Sequence, residues 1–220
     1  MAEAAARPAR GRPAAEAGVV SAGLVLFALT VHSGLPWVLA GAGGLVVAAV
    51  AIGLSLRATP GRQACVALVR EHVSRRACAA LAAGLLLGGG LGVAYRLVWR
   101  LPPLPAGLEA FVVVACLVGA AEELVYRGYV QGRLRVLGWP AAVVLAAAAH
   151  TAYKTALFVL PASPVDVNFA FLATWTLAGG IVFGLLREFS RSILPPVAAH
   201  AAFDLVVYGA LAQAPWWVWA

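Results

Sequence analysis

The sequence predicts an all-α, polytopic transmembrane helix bundle of about seven spans with its N-terminus inside, and three observations lead to that fold class. Of the 220 residues, 63% are hydrophobic and only 11% are charged, with a mean hydropathy of +0.90. Soluble domains carry about 25% charged residues. The apolar runs reach the length of about 17 to 25 residues that a spanning helix requires. The alternating segments of about ten residues that would mark a transmembrane barrel are absent.

The elements follow in order. Residues 1–17, MAEAAARPARGRPAAEA, lack a sustained apolar run and read as a disordered basic tail; they do not fit a signal peptide. Spans are expected at 18–32, 36–55, 77–97, 107–129, 140–160, 167–186 and 193–213. The first two are joined by the hairpin HSGLP, and Arg57 to Arg76 reads as a basic amphipathic connector on the membrane surface. The chain thus divides into N-terminal helices over 18–106, a core over 107–212 and an aromatic interfacial tail over 213–220. Gly180 and Gly184, at GxxxG spacing, are expected to allow close helix packing.

The net charge of +7 would fit a nucleic-acid partner in a soluble protein, but topology accounts for it here. With the N-terminus inside, thirteen arginines fall on the inner side, among them Arg7, Arg57, Arg76, Arg133, Arg135, Arg187 and Arg191. The outer segments hold Arg96 and Arg100, which are expected to snorkel, so the positive-inside bias fixes the orientation. Cys65, Cys78 and Cys116 have no paired spacing, which excludes a disulfide framework and a zinc finger, and they read as buried small residues. His32 and His72 are expected to be solvated. Trp37, Trp139, Trp216, Trp217 and Trp219 are expected at the interfaces.

Against this background the polar residues inside the spans stand out, because each costs at least about 2.5 kcal/mol to insert. Glu122 and Glu123 lie on the fourth span, His150 and Lys154 on the fifth, His200 and Asp204 on the seventh. At 1.5 Å per residue from the inner ends, Glu122, His150 and His200 lie about 13, about 15 and about 11 Å deep, a shared level. Glu123 and Arg127, at i and i+4, share a helix face and can pair near the inner interface, while Glu122 points about 100° away. A carboxylate with two imidazoles in a cavity suits hydrolysis: the carboxylate takes a proton from water and an imidazole orients the water or stabilises an oxyanion. The same residues can hold a metal, or relay protons in a transporter. Lys154 is placed to neutralise Glu122 or Asp204, or to meet a substrate carboxylate.

The set Glu122-Glu123-x-x-x-Arg127-Gly128, then His150, then His200-x-x-x-Asp204 after Leu194-Pro195-Pro196, resembles the CPBP family of intramembrane proteases, which includes the CAAX prenyl endopeptidases and the bacterial Abi proteins. The resemblance covers residues 107–212 and implies an intramembrane endopeptidase acting on a membrane-associated peptide or protein. Glu122, His150, His200 and Asp204 would be catalytic, with Glu123 and Arg127 as support. It leaves two cofactor readings open: a divalent metal such as zinc held by Glu122, His150, His200 and Asp204, or a metal-independent glutamate mechanism. It also implies a site opening toward the cytoplasm, and the Ala-, Arg- and Gly-rich composition points to a bacterial cytoplasmic membrane. Two departures bear on it. Ala146 stands where the family has a phenylalanine, four residues before His150, so a packing or substrate-lining ring is missing. Asp204 stands where Asn is more usual, and an ionised Asp accepts hydrogen bonds where an Asn amide also donates them. Asp204 must therefore be protonated, orient His200 or coordinate a cation. The alternative reading is a catalytically silent interaction or immunity protein on the same scaffold.

Overall fold

The computed structural model describes residues 11–31, 36–57, 75–159 and 167–212. Among them are seven helices and no strand. They are α1 (Gly11–Thr30), α2 (Trp37–Arg57), α3 (Arg75–Val98), α4 (Phe111–Glu123), α5 (Trp139–Ala156), α6 (Phe169–Ser190) and α7 (Leu194–Tyr208). The rod begun by α4 continues through a π-helical segment, Leu124–Val130, and a last turn, Gln131–Leu134. The expected connector, His32, His72, Cys65 and the aromatic tail lie outside the described residues.

Helix ends follow local chemistry. Gly138, with φ of 97°, turns the chain into α5, whose first turn carries Pro140. A proline there gives up a backbone donor that has no partner in any case. Pro195 and Pro196 open α7 in the same way. Asn168 caps α6, its Oδ1 accepting from the Phe171 N–H at 2.9 Å. At the other end of α6, Arg191 takes the left-handed conformation and donates its N–H to the Arg187 carbonyl at 2.9 Å.

Three helices are long and apolar enough to cross a membrane, Gly11–Thr30, Ala77–Val98 and Phe169–Ser190. The apolar helices Val38–Leu54 and Leu194–Tyr208 are shorter, and the rod of α4 is divided by its π segment. Leu86, Leu117 and Leu54 stay more than 60% exposed, as lipid-facing side chains do. The protein is an integral membrane protein.

The helices pack as three neighbouring groups. Helix α7 lies between α3 and α4, and α5 pairs with α6. The hairpin of α1 and α2 docks through α1 onto α5 and the end of the α4 rod. Small residues set the crossings: a β-carbon at Gly88 of α3 would collide with the Ala199 carbonyl of α7. Gly180 and Gly184 meet Ala147 and Val143 of α5, so their face is occupied within the molecule.

Several expectations change. Residues 11–17 belong to α1 rather than to a tail: Ala17 is buried and Glu16 pairs with Arg133 at 3.0 Å. Arg96 does not snorkel. It is 8% exposed, and donates from Nε to the Pro102 carbonyl at 2.6 Å and from Nη1 to the Val206 carbonyl at 3.3 Å. A cation there satisfies carbonyls in the last turn of α7, which no following turn can reach. Cys78 is exposed rather than buried. Ala146 is fully buried in a cluster with Ala17, Val20, Tyr126 and Val130, so the position lies against α1 and away from the cavity.

Candidate active site

Helices α3 to α7 surround a cavity of about 300 Å³. One end is closed by Glu122, Arg127, His150, His200 and Asp204; the other runs between Trp99, Phe158, Asn168 and Phe171. That second end lies away from the turn at Arg135–Leu137 and from Arg191, where the basic residues gather. The helices therefore bring together, from three elements, Glu122, Glu123, His150, Lys154, His200 and Asp204.

Glu122 is 7% exposed and Glu123 is fully buried. Oε2 of Glu122 lies 3.2 Å from His150 Nε2 and 3.8 Å from His200 Nε2, while Oε1 lies 2.5 Å from Lys154 Nζ. Oε1 of Glu123 lies 3.2 Å from Arg127 Nη1 and 2.9 Å from His200 Nδ1. The Glu123–Arg127 pair, expected near the inner interface, is sealed inside protein, with side chains 0% and 1% exposed.

The partners fix the histidine tautomers. Arg127 Nη1 stands 2.8 Å from His150 Nδ1, and a guanidinium only donates. Nδ1 of His150 therefore accepts, the ring is neutral, and its proton sits on Nε2, from which it is donated to Glu122. At His200 Nδ1–H donates to Glu123, and Nε2 faces two carboxylates, Glu122 and Asp204, whose Oδ1 lies 3.9 Å away, so a proton on Nε2 as well makes this ring an imidazolium. Asp204 is 3% exposed. Its distance from His200 fits an ion pair and is too long for a hydrogen bond.

The π segment explains how one rod serves so many partners. Its wider turn carries Tyr126, Arg127, Tyr129 and Val130, all buried, directly after the two glutamates. Such bulges are frequent at functional sites. Tyr126 stacks on His150 with ring centroids 4.5 Å apart and planes at 24°. Gln131, on the next turn, donates to the Glu188 carboxylate at 2.8 Å and ties the rod to α6.

Several residues here escaped the sequence reading. Gly119, three residues before Glu122, is required by space: a β-carbon would lie 2.6 Å from Asp204 Oδ2 and 2.8 Å from the His200 ring. Tyr95, Trp99, Phe171, Trp175 and Phe203 line the far part of the cavity as an aromatic chamber, with the Trp99 and Phe171 rings 5.3 Å apart. The spacing of Tyr95 to Trp99 and of Phe171 to Trp175, i to i+4, was a signal that could have been read.

As arranged, the donors do not fit a metal ion. Among the described residues no three His, Cys, Asp or Glu side chains gather in a metal-holding group. A cation at Glu122 would also face Lys154, and His150 has its lone pair at Nδ1 committed to Arg127.

Fold and site together define a helical membrane protein with an acid–imidazole cluster at the closed end of an intramembrane cavity. Residues 105–206 match the family described as type II CAAX prenyl endopeptidase Rce1-like, in line with the resemblance to the CPBP/CAAX proteases that the motifs carry. Neither the curated proteins nor the solved structures give a match.

Proposed function

We propose that the protein is an intramembrane endopeptidase that hydrolyses a peptide bond in a membrane-associated peptide or protein, using water activated by Glu122. The observation that carries this reading is the convergence of Glu122, His150 and His200 at the closed end of a cavity with apolar walls. The family of residues 105–206 is one of proteases, which supports it.

In this mechanism a water lies between Glu122 Oε2 and the scissile carbonyl. Glu122 removes its proton as the oxygen attacks carbon, and the N–H of His150 holds the carboxylate in place. The carbonyl oxygen gains negative charge, which a proton on His200 Nε2 stabilises. Glu123 and Asp204 flank that ring, Glu123 Oε1 at 2.9 Å from Nδ1 and Asp204 Oδ1 at 3.9 Å from Nε2, and hold it in place. The proton on Glu122 then passes to the leaving nitrogen as the C–N bond breaks. Arg127 neutralises Glu123 and fixes His150, so it supports the site without touching substrate. This route needs no metal, consistent with a donor set engaged by Lys154 and Arg127.

The aromatic chamber favours apolar side chains of a substrate segment lying in the membrane. The two expectations about orientation do not go together. An N-in chain puts the basic turns inside and the aromatic end of the cavity on the opposite side, whereas a cytoplasmic opening needs the reverse. The charge bias supports the first, and we carry it forward.

The test is a mass-spectrometric survey of new peptide termini in host membranes, comparing wild type with Glu122→Gln at matched protein level. Termini present with the wild type and missing in the variant are expected. An unchanged set of termini, with the gene deletion still giving a phenotype, would favour the non-catalytic reading.

A further inference from the structure

Three carboxylates, Glu122, Glu123 and Asp204, share this buried site with two permanent cations, Arg127 and Lys154. Arg127 is committed: its Nη1 lies 3.2 Å from Glu123 and 2.8 Å from His150 Nδ1. Lys154 is the cation left for Glu122, with Nζ 2.5 Å from Oε1. One helical turn beyond His150 on α5, it stands on the wall between Glu122 and the aromatic chamber. Its side chain is 28% exposed, against 8% for Glu122, so it is the more open partner of the pair.

We infer that Lys154 is a positioning residue: its ammonium group holds Glu122 by Oε1, so that Oε2 is the oxygen presented to His150, His200 and the reacting water. This rests on the proteolytic reading above. The geometry supports a division of labour between the two oxygens. A carboxylate free to rotate would offer either oxygen to either neighbour, whereas Lys154 on one side and the His150 N–H on the other leave one orientation. Nothing in the three motifs requires a lysine here, and a neutral residue at 154 would leave three carboxylates facing a single guanidinium. The groups that share the surroundings of Glu122 are His150, Tyr153 and Lys154 from α5, His200, Asp204 and Tyr208 from α7, and Glu123, Tyr126 and Arg127 from its own rod.

The experiment uses the full chain in lipid nanodiscs and dicyclohexylcarbodiimide, an apolar reagent that adds to protonated carboxyl groups and spares those held in ion pairs. Labelling of Glu122 is followed by peptide mapping, with Glu122→Gln as the blank. In the wild type Glu122 is expected to label slowly. In Lys154→Met and Lys154→Gln its labelling rises about tenfold or more, the usual consequence of removing an opposite charge at this distance. Lys154→Arg, which keeps the charge, retains the protection. Equal labelling of Glu122 in wild type and both neutral variants, or equal loss of protection in Lys154→Arg, overturns the inference. Helical circular dichroism identifies any variant that fails to fold, and two neutral variants keep the comparison available. On any peptide the wild type cleaves, Lys154→Met lowers kcat with little change in KM, and Lys154→Arg restores most of it. Protection of Glu122 is read without any cleavage, so failure of this inference and failure of the proteolytic reading are separable.

Discussion

At the residue scale the site depends on how little room surrounds its polar groups. A methyl group at Gly119 would occupy the space of Asp204 and the His200 ring. Gly119→Ala is therefore expected to lower turnover by about 100-fold, the order of loss that follows a displacement near 1 Å at a reacting group. Thermal unfolding in detergent would show whether the fold survives, and full activity in Gly119→Ala would remove the steric argument. Asp204 stands 3.9 Å from His200, which fits a role beside the ring. Asp204→Asn keeps the shape and is expected to retain more activity than Asp204→Ala, measured as kcat/KM on one peptide. The reverse order would mean that the shape of the side chain is not what the site uses, and an equal loss in both variants would mean that the negative charge itself is needed. The motif residues were legible because ionisable groups in an apolar span are costly, and Glu122, His150, His200 and Asp204 do meet. Gly119 was not, because one glycine among 23 carries no sign of what lies opposite it.

At the element scale the π segment matters most. It places Arg127 against both Glu123, as the i to i+4 spacing led one to expect, and His150, which helical periodicity alone did not foresee. Periodicity assumes one turn throughout, and no residue type in LVYRGYV announces a wider one. The buried pair of Glu123 and Arg127 is a strong test of that geometry. Glu123→Gln leaves the guanidinium without its carboxylate and is expected to cost about 3 to 5 kcal/mol of stability, read from denaturation in detergent. A loss below that of an exposed ion pair would show the two charges to be independent. Helix α1, although outside the matched segment, belongs to the same packing unit. Its Ala17 and Val20 lie in the cluster with Ala146, and the small side chain at 146 goes with this close approach. Ala146→Phe, which supplies the ring usual in the family, is expected to destabilise the protein by about 1 to 3 kcal/mol by overpacking. A neutral or stabilising result would mean that α1 yields.

At the scale of the whole molecule, composition and charge were enough for an all-helical membrane protein, since both report the solvent the chain faces. The spans were harder to count, because the α4 rod is interrupted and α7 is short. The orientation tests directly. In a chain with Cys65, Cys78 and Cys116 replaced by serine, a cysteine at Leu104 is expected to react with a membrane-impermeant maleimide on intact cells. A cysteine at Val136, at the basic turn, should react only after permeabilisation. The opposite pattern would turn the cavity to the inner side. The central claim is that Glu122 activates water at a peptide bond, and cleavage by purified protein in nanodiscs, in ¹⁸O-labelled water, reaches it most closely. The substrate is a peptide nominated by the terminus survey, and wild type is compared with Glu122→Gln. The account predicts one labelled oxygen in the new carboxyl group and a rate lowered by about 100-fold or more in Glu122→Gln. A variant that cleaves at the wild-type rate would contradict it.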